Sequence, residues 1–552
     1  MEYNKLRLIF EIVLILIIYR FICFYLTSDG TGLSKKIWMS FYTFAAITFL
    51  AIFLPLYLVQ SSRLTGCDRN LLIILKIYNR QVLGALFSIL DKCFWILFTA
   101  AGLVLIIEIF FPEWIALSPK HGPKFNVCRL RPKDGIVVGH FERDVLPKSI
   151  RQFAPAIAKE IIVPYNRLAR GVTILGDMGC GKSRLMAIFE ESIQKKYPDI
   201  PILIHDPKGE WLRSFYNPKT DLIFAPYDFR SAIWSLWADF SIHPELIHSV
   251  IATAVEAHHS GQTYDRFWTD SATTLLEDVA KKSGIYSAKK YLQELHKKNV
   301  ENKTWASIYT TAIIGFRDIA SVELMGYESD WKPGLSIDEF LKVRGRIFLL
   351  NNPSIASEQH GGLTLFLTAF MMRVLAQSDV SENELRAVVI LDEALTFHLP
   401  ADVEKAVFTQ SRSKGLSVIA SAQRLPKEHL GERGAWSDHP SHIFGMRITD
   451  LASREALAKR IGTITYTEKQ KSTSVSHKNL RDKSITESET ERHHQAVAPE
   501  DWALENRQFI LFHEKGIAPG WSKNIDINQR PEIEILEYNP RPDITRFMAG
   551  LG

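Results

Sequence analysis

The stretch GDMGCGKS at residues 176–183 constrains the fold of this chain more than any other segment. It follows the pattern G-x-x-x-x-G-K-S, which is typical of a phosphate-binding loop. The apolar run GVTIL (171–175) before it predicts a buried strand, and SRLMAIFEESIQKKY (183–197) has the apolar spacing of a helix. In this order of strand, loop and helix, backbone N–H groups and the helix N-terminus can surround a phosphate. We therefore expect an α/β nucleotide-binding domain.

Each position of this loop has a chemical role. Glycines let the backbone approach a phosphate, Lys182 is placed to reach the β- and γ-phosphates of ATP, and Ser183 is placed to ligate Mg²⁺. The predicted nucleotide-binding residues are Gly176, Asp177, Met178, Gly179, Cys180, Gly181, Lys182, Ser183 and Arg184. Cys180 also lies at the start of the predicted helix, where the thiolate form is favoured. We therefore expect alkylation of Cys180 to block nucleotide binding and ATP to protect the thiol.

A second motif, which hydrolysis requires, lies at 386–395 in the sequence RAVVILDEAL. Its apolar run predicts a strand that ends in Asp392 and Glu393. Asp392 would hold Mg²⁺, usually through water, and Glu393 would polarise the attacking water. Gln423, near the end of the apolar run LSVIASAQRL (416–425), would sense the γ-phosphate. The alternatives are a solvated acidic turn for the acid pair and an ordinary strand-end hydrogen bond for Gln423.

The runs IPILIHDPKG (200–209) and RIFLLNNP (346–353) join these two as strands of a predicted parallel sheet. Strands that alternate with helices predict a doubly wound, RecA-like P-loop NTPase domain of the α/β class, with its ligand at the carboxyl ends of the strands. Residues 240–335 have apolar residues at helical spacing without strand-like runs, which predicts an inserted all-helical domain. The NTPase domain then consists of residues 112–239 and 336–525.

Residues 1–111 differ from the rest of the chain because they are mostly apolar. The stretches 6–27, 37–59 and 94–111 come close to or exceed the ~20 apolar residues of a spanning helix. Residues 71–90 carry charges at their centre and are interpreted as an interfacial amphipathic helix. The segments before and after 94–111 are both basic, and both cannot be cytoplasmic if 94–111 crosses the membrane once. The number of crossings, two or three, therefore stays open. The alternative is a set of long buried core helices.

The net charge of +5 is unevenly distributed over the 552 residues. Residues 1–111 hold 10 basic and 6 acidic residues, and the remainder holds 56 basic and 55 acidic residues. The overall charge is therefore no argument for DNA binding, because a basic track would have to be local. The five cysteines have no metal-type spacing, which fits a reducing compartment for the soluble part.

Polar composition marks two further segments near the end of the chain. Residues 464–495 are rich in Ser, Thr, Lys and Glu, which predicts a mobile loop or an extended excursion. The run RQFILFHEKG (507–516) then predicts a strand and turn. Residues 526–552 are polar and contain proline, and they are interpreted as a short tail without a further domain.

Several of these motifs together resemble the type IV coupling proteins of the TraD and TrwB kind, which are membrane-anchored ATPases of bacterial conjugation and type IV secretion. The resemblance covers residues 1 to about 520. It is carried by HDPKGEWLRSFYNPKTDLIFAPYDFRSAIWSLW (205–237), by FW at 267–268 and by QSRSKGLSVIASAQ (410–423), together with the helical insertion. Family members commonly carry two spans, so three apolar stretches are a departure, and the long C-terminal recruitment tail of some members is not present in this sequence.

The resemblance implies a homo-hexameric ring at the bacterial inner membrane, with its ATPase domain in the cytoplasm and ATP and Mg²⁺ at the subunit interfaces. A positive group supplied by the neighbouring subunit would be Arg412, with Arg447 as the other candidate. The implied function is the transfer of relaxase-bound single-stranded DNA into a type IV secretion channel. The alternatives are an ATPase that moves only protein effectors, a nucleotide-dependent membrane gate or scaffold, and a duplex DNA pump of the FtsK or HerA kind.

Overall fold

The computed structural model describes a large part of the chain after residue 133. The described residues are 134–146, 151, 160–257, 266–327, 334–381, 384–397, 399–425, 440–475, 483–513, 516–525, 527–539 and 543–551. The chain divides into two compact units, residues 1–119 with 148–158 and residues 120–147 with 159–552. All elements given below belong to the second unit.

The described residues form a large mixed sheet and a separate two-stranded sheet. The strands are β1 (Gly135–Phe141), β2 (Glu160–Pro164), β3 (Val172–Leu175), β4 (Ile202–Asp206), β5 (Leu222–Phe224), β6 (Arg346–Leu350), β7 (Ala387–Leu391), β8 (Leu416–Ala422), β9 (His442–Gly445), β10 (Thr463–Val475), β11 (Lys483–Gln495), β12 (Gln508–His513) and β13 (Gly516–Ser522). The eleven strands of the large sheet have the order β2-β1-β13-β12-β9-β3-β8-β7-β4-β6-β5. The predicted α/β class with a mainly parallel sheet is confirmed.

Seven neighbouring strands, from β9 to β5 in this order, run parallel. Strands β3, β4, β7 and β8 are buried at every residue, as expected for a parallel sheet that is covered on both faces. Leu175 pairs with Ala422 of β8, and Leu391 pairs with Ala420 of the same strand. The segments that follow β3, β7 and β8 therefore begin at one edge of the sheet, where the candidate site lies.

Helices connect and cover these strands. They are α1 (Lys182–Lys196), α2 (Glu210–Phe215), α3 (Leu236–Ile242), α4 (Leu246–Glu256), α5 (Arg266–Ala280), α6 (Ile285–Asn299), α7 (Lys303–Tyr327), α8 (Ile337–Phe340), α9 (Ala356–Leu375), α10 (Ala401–Lys414), α11 (Leu451–Ile461) and α12 (Ile544–Met548). Helix α1 begins directly at the phosphate loop, and α10 ends two residues before β8 begins.

Helices α3 to α7 all lie between β5 and β6 in the chain. Helices α4 to α7 fall within residues 240–335, which the sequence predicts as an inserted helical domain, whereas α3 begins earlier, at Leu236. Their apolar faces share one buried cluster with α9, because Val250 of α4 and Phe316 of α7 belong to the same cluster as Phe366. Phe366 also stacks on Phe224 of β5, with ring centroids 4.1 Å apart. The helical segment and the sheet therefore bury one continuous core, and the predicted boundaries at 239 and 335 stay a prediction.

Two polar segments near the end of the chain have regular structure. The predicted excursion at 464–495 contains an antiparallel ribbon of β10 and β11, in which Thr463 pairs with Gln495 and Val475 with Lys483. The predicted tail contains α12, whose Ile544 is buried against the helical segment.

No helix within the described ranges is long and apolar enough to cross a bilayer. The predicted spans at 6–27, 37–59 and 94–111 and the predicted amphipathic helix at 71–90 all lie outside the described residues.

Candidate nucleotide site

The phosphate loop is held between the ends of two strands. The N–H of Gly176 donates to the carbonyl of Ala422 at 3.0 Å, and the N–H of Asp177 donates to the carbonyl of Arg447 at 2.7 Å. Gly181 has a φ of 108°, in the left-handed region that glycine adopts without strain. A Cβ added to Gly176 would lie 2.7 Å from the Cys180 sulfur, so this position also requires glycine. Both glycines of the motif are thus explained by local geometry.

The Lys182 side chain curls back over the loop that precedes it. Its Nζ donates to the carbonyl of Gly176 at 2.7 Å and to that of Asp177 at 3.1 Å. The residue is only 7% exposed although it carries a charge. An ammonium group held there is well placed to bind a phosphate that the loop surrounds.

Asp392 lies at the centre of a hydrogen-bonded cluster beside the loop. Its Oδ2 accepts from the Ser183 hydroxyl at 3.0 Å and from the Trp211 indole N–H at 3.2 Å. Its Oδ1 accepts from the Ser421 hydroxyl at 2.8 Å. A serine hydroxyl and a carboxylate this close provide the oxygen ligands that Mg²⁺ prefers, so the residues fit a magnesium ion. The structure thus brings together Ser183 and Asp392, the two residues that the sequence predicts as metal ligands.

Glu393 and Gln423 meet at the open side of this cluster. The Gln423 amide donates to Glu393 Oε1 at 2.9 Å, and the Glu393 N–H donates to the Ser421 hydroxyl at 3.2 Å. Glu393 has a φ of 57°, a left-handed conformation that is uncommon for a residue with a side chain. Such strained residues are concentrated at functional sites. The turn after β7 therefore supplies the carboxylate of this pair, and the end of β8 supplies the amide.

Two buried residues at the end of β4 lie near Asp392, and one of them, His205, contacts it. His205 Nδ1 lies 2.6 Å from the Asp392 carbonyl, and burial lowers the pKa of His205 to about 4. The neutral imidazole must therefore carry its proton on Nδ1 and donate it, because a carbonyl only accepts. Burial also raises the pKa of Asp206 to about 7, although its carboxylate accepts from the N–H of Leu212 at 2.8 Å. This bond holds the first turn of α2.

The prediction that Cys180 is a reactive thiolate is wrong. Cys180 is fully buried, and its thiol lies 3.8 Å from the sulfur of Met446. Burial raises the pKa of the Cys180 thiol, and nearby Lys182 lowers it by less. The desolvation of a buried anion thus outweighs the helix N-terminus and the lysine.

The remaining loop residues lie at the surface or contact the segment between β9 and α11. Met178 is 64% exposed, Gly179 has open space around it, and Arg184 is exposed. The carboxylate of Asp177 accepts from the N–H of Thr449 at 3.2 Å and from its hydroxyl at 3.1 Å. The Thr449 contacts were not expected from the sequence.

The two candidate arginines lie at opposite ends of the parallel strands, Arg447 at the carboxyl ends and Arg412 at the amino ends. Arg447 donates to the Met178 carbonyl at 3.1 Å, so it contacts the phosphate loop of its own chain. Arg412 is exposed near the end of α10, at the amino end of β8, where it lines a cleft of about 430 Å³ with Arg167 and Arg170. Within one chain, Arg412 is thus at the edge of the sheet opposite to Lys182.

Sequence reasoning missed several residues of the site. Trp211 follows directly after the DPKGE sequence, and Ser421 is a small polar residue near the end of a fully buried strand. The backbone N–H of Arg507 donates to the Cys180 carbonyl at 2.9 Å, from the turn before β12. Ser421 could have been suspected because a hydroxyl in a buried strand needs a partner. Trp211 and Arg507 carried no such signal.

The fold and the site define a P-loop NTPase. A family model described as "Type IV secretion-system coupling protein DNA-binding domain" matches residues 156–305. The chain is also 25% identical over 294 residues to the coupling protein TraD of Escherichia coli (strain K12). The matched residues make up 48% of this chain and 39% of TraD. The matched segment thus spans about two fifths of that relative.

Solved structures of the conjugative coupling protein TrwB have the same fold. The unbound form of TrwB lacking 70 N-terminal residues matches 68% of this chain and 89% of its own, with a TM-score of 0.54 and 16% identity. TrwB with an ATP analogue has a TM-score of 0.53 at 17% identity, covering 68% of this chain and 90% of TrwB. TrwB with ADP and Mg²⁺ gives the same score and identity, covering 68% and 91%. Together with the family model and TraD, these matches confirm the resemblance to the type IV coupling proteins.

Proposed function

We propose that this protein is a membrane-anchored ATPase that couples ATP hydrolysis to the transfer of relaxase-bound single-stranded DNA into a type IV secretion channel. The observation that carries the proposal is the convergence of Lys182, Ser183, Asp392 and Glu393 at one edge of the sheet. The match to a coupling-protein DNA-binding domain and the likeness to TraD support the choice of cargo.

Each group of residues in the site has a separate role in hydrolysis. The loop N–H groups and the Lys182 ammonium bind the β- and γ-phosphates and stabilise the charge that develops on them. Ser183 and Asp392 would hold Mg²⁺, and the bound ion would neutralise phosphate charge. Glu393 orients the attacking water and accepts its proton on a carboxylate oxygen. Gln423, held on Glu393 Oε1, is placed to respond to the γ-phosphate.

The ligands ATP and Mg²⁺ are supported by the relatives. TrwB structures contain a non-hydrolysable ATP analogue or ADP with Mg²⁺. The oxygen ligands of Ser183 and Asp392 are those expected for this ion. The remaining site residues proposed to bind the nucleotide are Gly176, Asp177, Met178, Gly179, Cys180, Gly181 and Arg184.

The proposed assembly is a homo-hexameric ring at the inner membrane, anchored by the apolar stretches within residues 1–111 and contacting the relaxase and the secretion channel. Arg412 would then complete the nucleotide site of the neighbouring subunit, since its position at the amino end of β8 keeps it away from its own. DNA would be held mainly through backbone phosphates, so its binding should weaken with salt.

The test is ATPase activity of the full-length protein with and without single-stranded DNA. We expect DNA to stimulate hydrolysis, and we expect Lys182→Ala to lower the stimulated rate by about 10²–10³-fold, because a phosphate-binding charge is lost. Lys196→Ala is the matched control, since Lys196 is at the far end of the same helix and pairs with Asp134 at 2.7 Å. The control should keep the wild-type rate.

The outcomes separate the proposed cargo from the alternatives. Hydrolysis that depends on Lys182 but is unaffected by DNA, in a protein that binds no DNA, would favour transfer of protein effectors. Absence of hydrolysis in the wild type with intact nucleotide binding would favour a gate or scaffold. Stimulation by duplex DNA alone would favour a duplex pump.

A further inference from the structure

Trp211 has a polar contact that its position in the chain does not suggest. The residue is only 3% exposed, and its indole N–H donates to Asp392 Oδ2 at 3.2 Å. An indole offers one donor and no acceptor, so this bond satisfies the whole polar capacity of the ring. The same Oδ2 accepts from the Ser183 hydroxyl. The indole therefore contacts the acid that is proposed to hold Mg²⁺.

The local fold explains how Trp211 reaches this acid. Strand β4 runs parallel to β7, and its His205 pairs with Leu391, the residue before Asp392. After Asp206 the chain turns at Gly209, whose φ of 72° is left-handed, and enters α2. The Asp206 carboxylate accepts from the N–H of Leu212, which fixes the first turn of that helix. Trp211 lies in this turn and points back toward the end of β7.

The hydrogen bonds to Asp392 come from three directions. Ser421 donates to Oδ1, and Ser183 and Trp211 donate to Oδ2. A carboxylate with donors on both oxygens cannot rotate about its Cβ–Cγ bond without breaking at least one of them. Ser183 is itself a proposed metal ligand and would move with the ion. Trp211 and Ser421 are the two donors that do not depend on the ion.

We propose that Trp211 is a positioning residue that fixes the orientation of the Asp392 carboxylate for Mg²⁺ binding. The inference rests on the proposed binding of ATP with Mg²⁺ at this site. Groups that orient metal ligands from outside the coordination sphere typically change metal affinity by 10–100-fold when they are mutated. Trp211 lies in α2, and this helix is also held by Arg213, which donates to the carbonyl of Ile533 at 3.1 Å.

The experiment measures Mg²⁺ affinity rather than turnover. A fluorescent, non-hydrolysable ATP analogue is bound to the full-length protein in EDTA, and MgCl₂ is then titrated while the fluorescence anisotropy is recorded. Trp211→Phe keeps an aromatic ring but lacks the N–H donor. We expect the Mg²⁺ concentration at half-effect to rise by 10–100-fold, with unchanged affinity for the analogue in EDTA.

Trp234→Phe is the matched control. Trp234 is 1% exposed, and its indole donates to Asp239 Oδ2 at 2.6 Å, in α3 and away from the phosphate loop. The Trp234→Phe variant therefore loses the same kind of hydrogen bond, and its Mg²⁺ concentration at half-effect should equal that of the wild type. If Trp211→Phe fails to fold, replacement of Trp211 by its benzothiophene analogue keeps the ring shape and removes only the donor. The same rise is expected for that analogue.

Two results would overturn the inference. One is a folded, donor-free variant at position 211 with the Mg²⁺ dependence of the wild type. The other is an equal loss of analogue affinity with and without Mg²⁺, which would mean that Trp211 only maintains the packing of the site. A wild-type protein without any Mg²⁺-dependent analogue binding would instead overturn the proposed function, and the inference with it.

Discussion

At the scale of single residues, Cys180 shows how burial decides the chemistry of a side chain. The start of a helix and a neighbouring lysine both favour the thiolate, and Lys182 does lower the thiol pKa. Burial against Met446 has the larger effect, so the pKa of the Cys180 thiol is raised overall. A phosphate loop with a cysteine is therefore not, for that reason alone, sensitive to alkylation.

We predict that iodoacetamide modifies Cys180 slowly in the folded protein at pH 7. Each unit by which the thiol pKa is raised removes about 90% of the remaining thiolate, and burial also blocks access. Mass spectrometry of the peptide that contains Cys180 would measure the rate. The control is the same peptide in protein unfolded by urea, which should react at least about tenfold faster. Equal rates in the folded and unfolded protein would show that the thiol is accessible.

The central site residues could be predicted because they follow strands. Lys182, Ser183 and Asp392 each occupy a fixed place after a buried apolar run, and the carboxyl ends of neighbouring parallel strands meet at one edge. Trp211 could not be predicted in the same way. Its contact with Asp392 depends on the turn at Gly209 and on the direction of a six-residue helix, which no pattern in the sequence specifies. The opposite positions of Arg412 and Arg447 likewise became visible only in three dimensions.

At the scale of elements, the strands that escaped prediction are those that depend on partners. Strand β5 has three residues and β9 has four, and neither is followed by a motif like the one that identifies the equally short β3. Strand β13 contains Pro519 between β12 and β1, although proline is rare within a sheet. The carbonyl of Pro519 still accepts from the N–H of Glu142. The long buried strands β4, β7 and β8 were predictable from their apolar runs.

Helix α3 depends on a carboxylate from a distant helix. Its N-cap Ser235 makes no side-chain capping bond, and Glu323 of α7 instead accepts from the N–H of Trp237 at 3.0 Å. Burial raises the pKa of Glu323 to about 7, although the backbone hydrogen bonds lower it. The folded protein therefore holds a proton on Glu323 more strongly than the unfolded chain does.

We predict that Glu323→Gln is more stable than the wild type at pH 8 and equally stable near pH 4. A raised acid pKa contributes stability that is full below the unfolded value near 4.5 and is lost as the pH rises through about 7. The neutral amide keeps an acceptor for Trp237 and does not ionise. The difference in the free energy of unfolding at pH 8 should be about 3 kcal/mol at most. Urea unfolding at a series of pH values would measure it.

The control for this experiment is Glu339→Gln, which should show the opposite sign. Glu339 accepts from the backbone N–H of Ser336 at 2.7 Å, and this bond lowers the pKa of Glu339. Its contribution is therefore present above the unfolded value of 4.5 and is lost as the pH falls below it, so the variant should be destabilised at neutral pH and not in acid. If the difference in the free energy of unfolding between the wild type and Glu323→Gln stays constant from pH 4 to 8, Glu323 is not the source of the pH dependence.

At the scale of the whole molecule, the last residues of the chain connect the NTPase sheet to the helical segment. Arg530 donates from its side chain to the carbonyls of Arg213 at 3.0 Å and of Tyr216 at 2.7 Å, beside α2. The chain then runs past β5, where the N–H of Asn539 donates to the carbonyl of Tyr227 at 2.8 Å. Composition alone predicted a short tail here, because apolar residues are too sparse to show a period.

The final helix completes the core of the helical segment. Phe547 of α12 is 8% exposed, and its ring contacts those of Tyr286 and Phe316 at centroid distances of 5.5 and 6.3 Å. Lys289 of α6 donates to the Phe547 carbonyl, and the Gln293 amide donates to that of Gly550 at 3.2 Å. The last residues thus contact α6 and α7. Earlier in the same C-terminal segment, Arg530 contacts α2, the helix that carries Trp211.

We predict that Phe547→Ala destabilises the helical segment by about 3–5 kcal/mol, because a buried aromatic ring is replaced by a cavity. Hydrogen exchange should increase in α6 and α7 while the strands around the phosphate loop keep their protection. Tyr538→Ala is the matched control, since Tyr538 belongs to the same C-terminal segment but is 50% exposed and should change stability by less than about 1 kcal/mol. Faster exchange confined to α12 itself, with α6 and α7 unchanged, would show that the C-terminal segment rests on the helices without stabilising them.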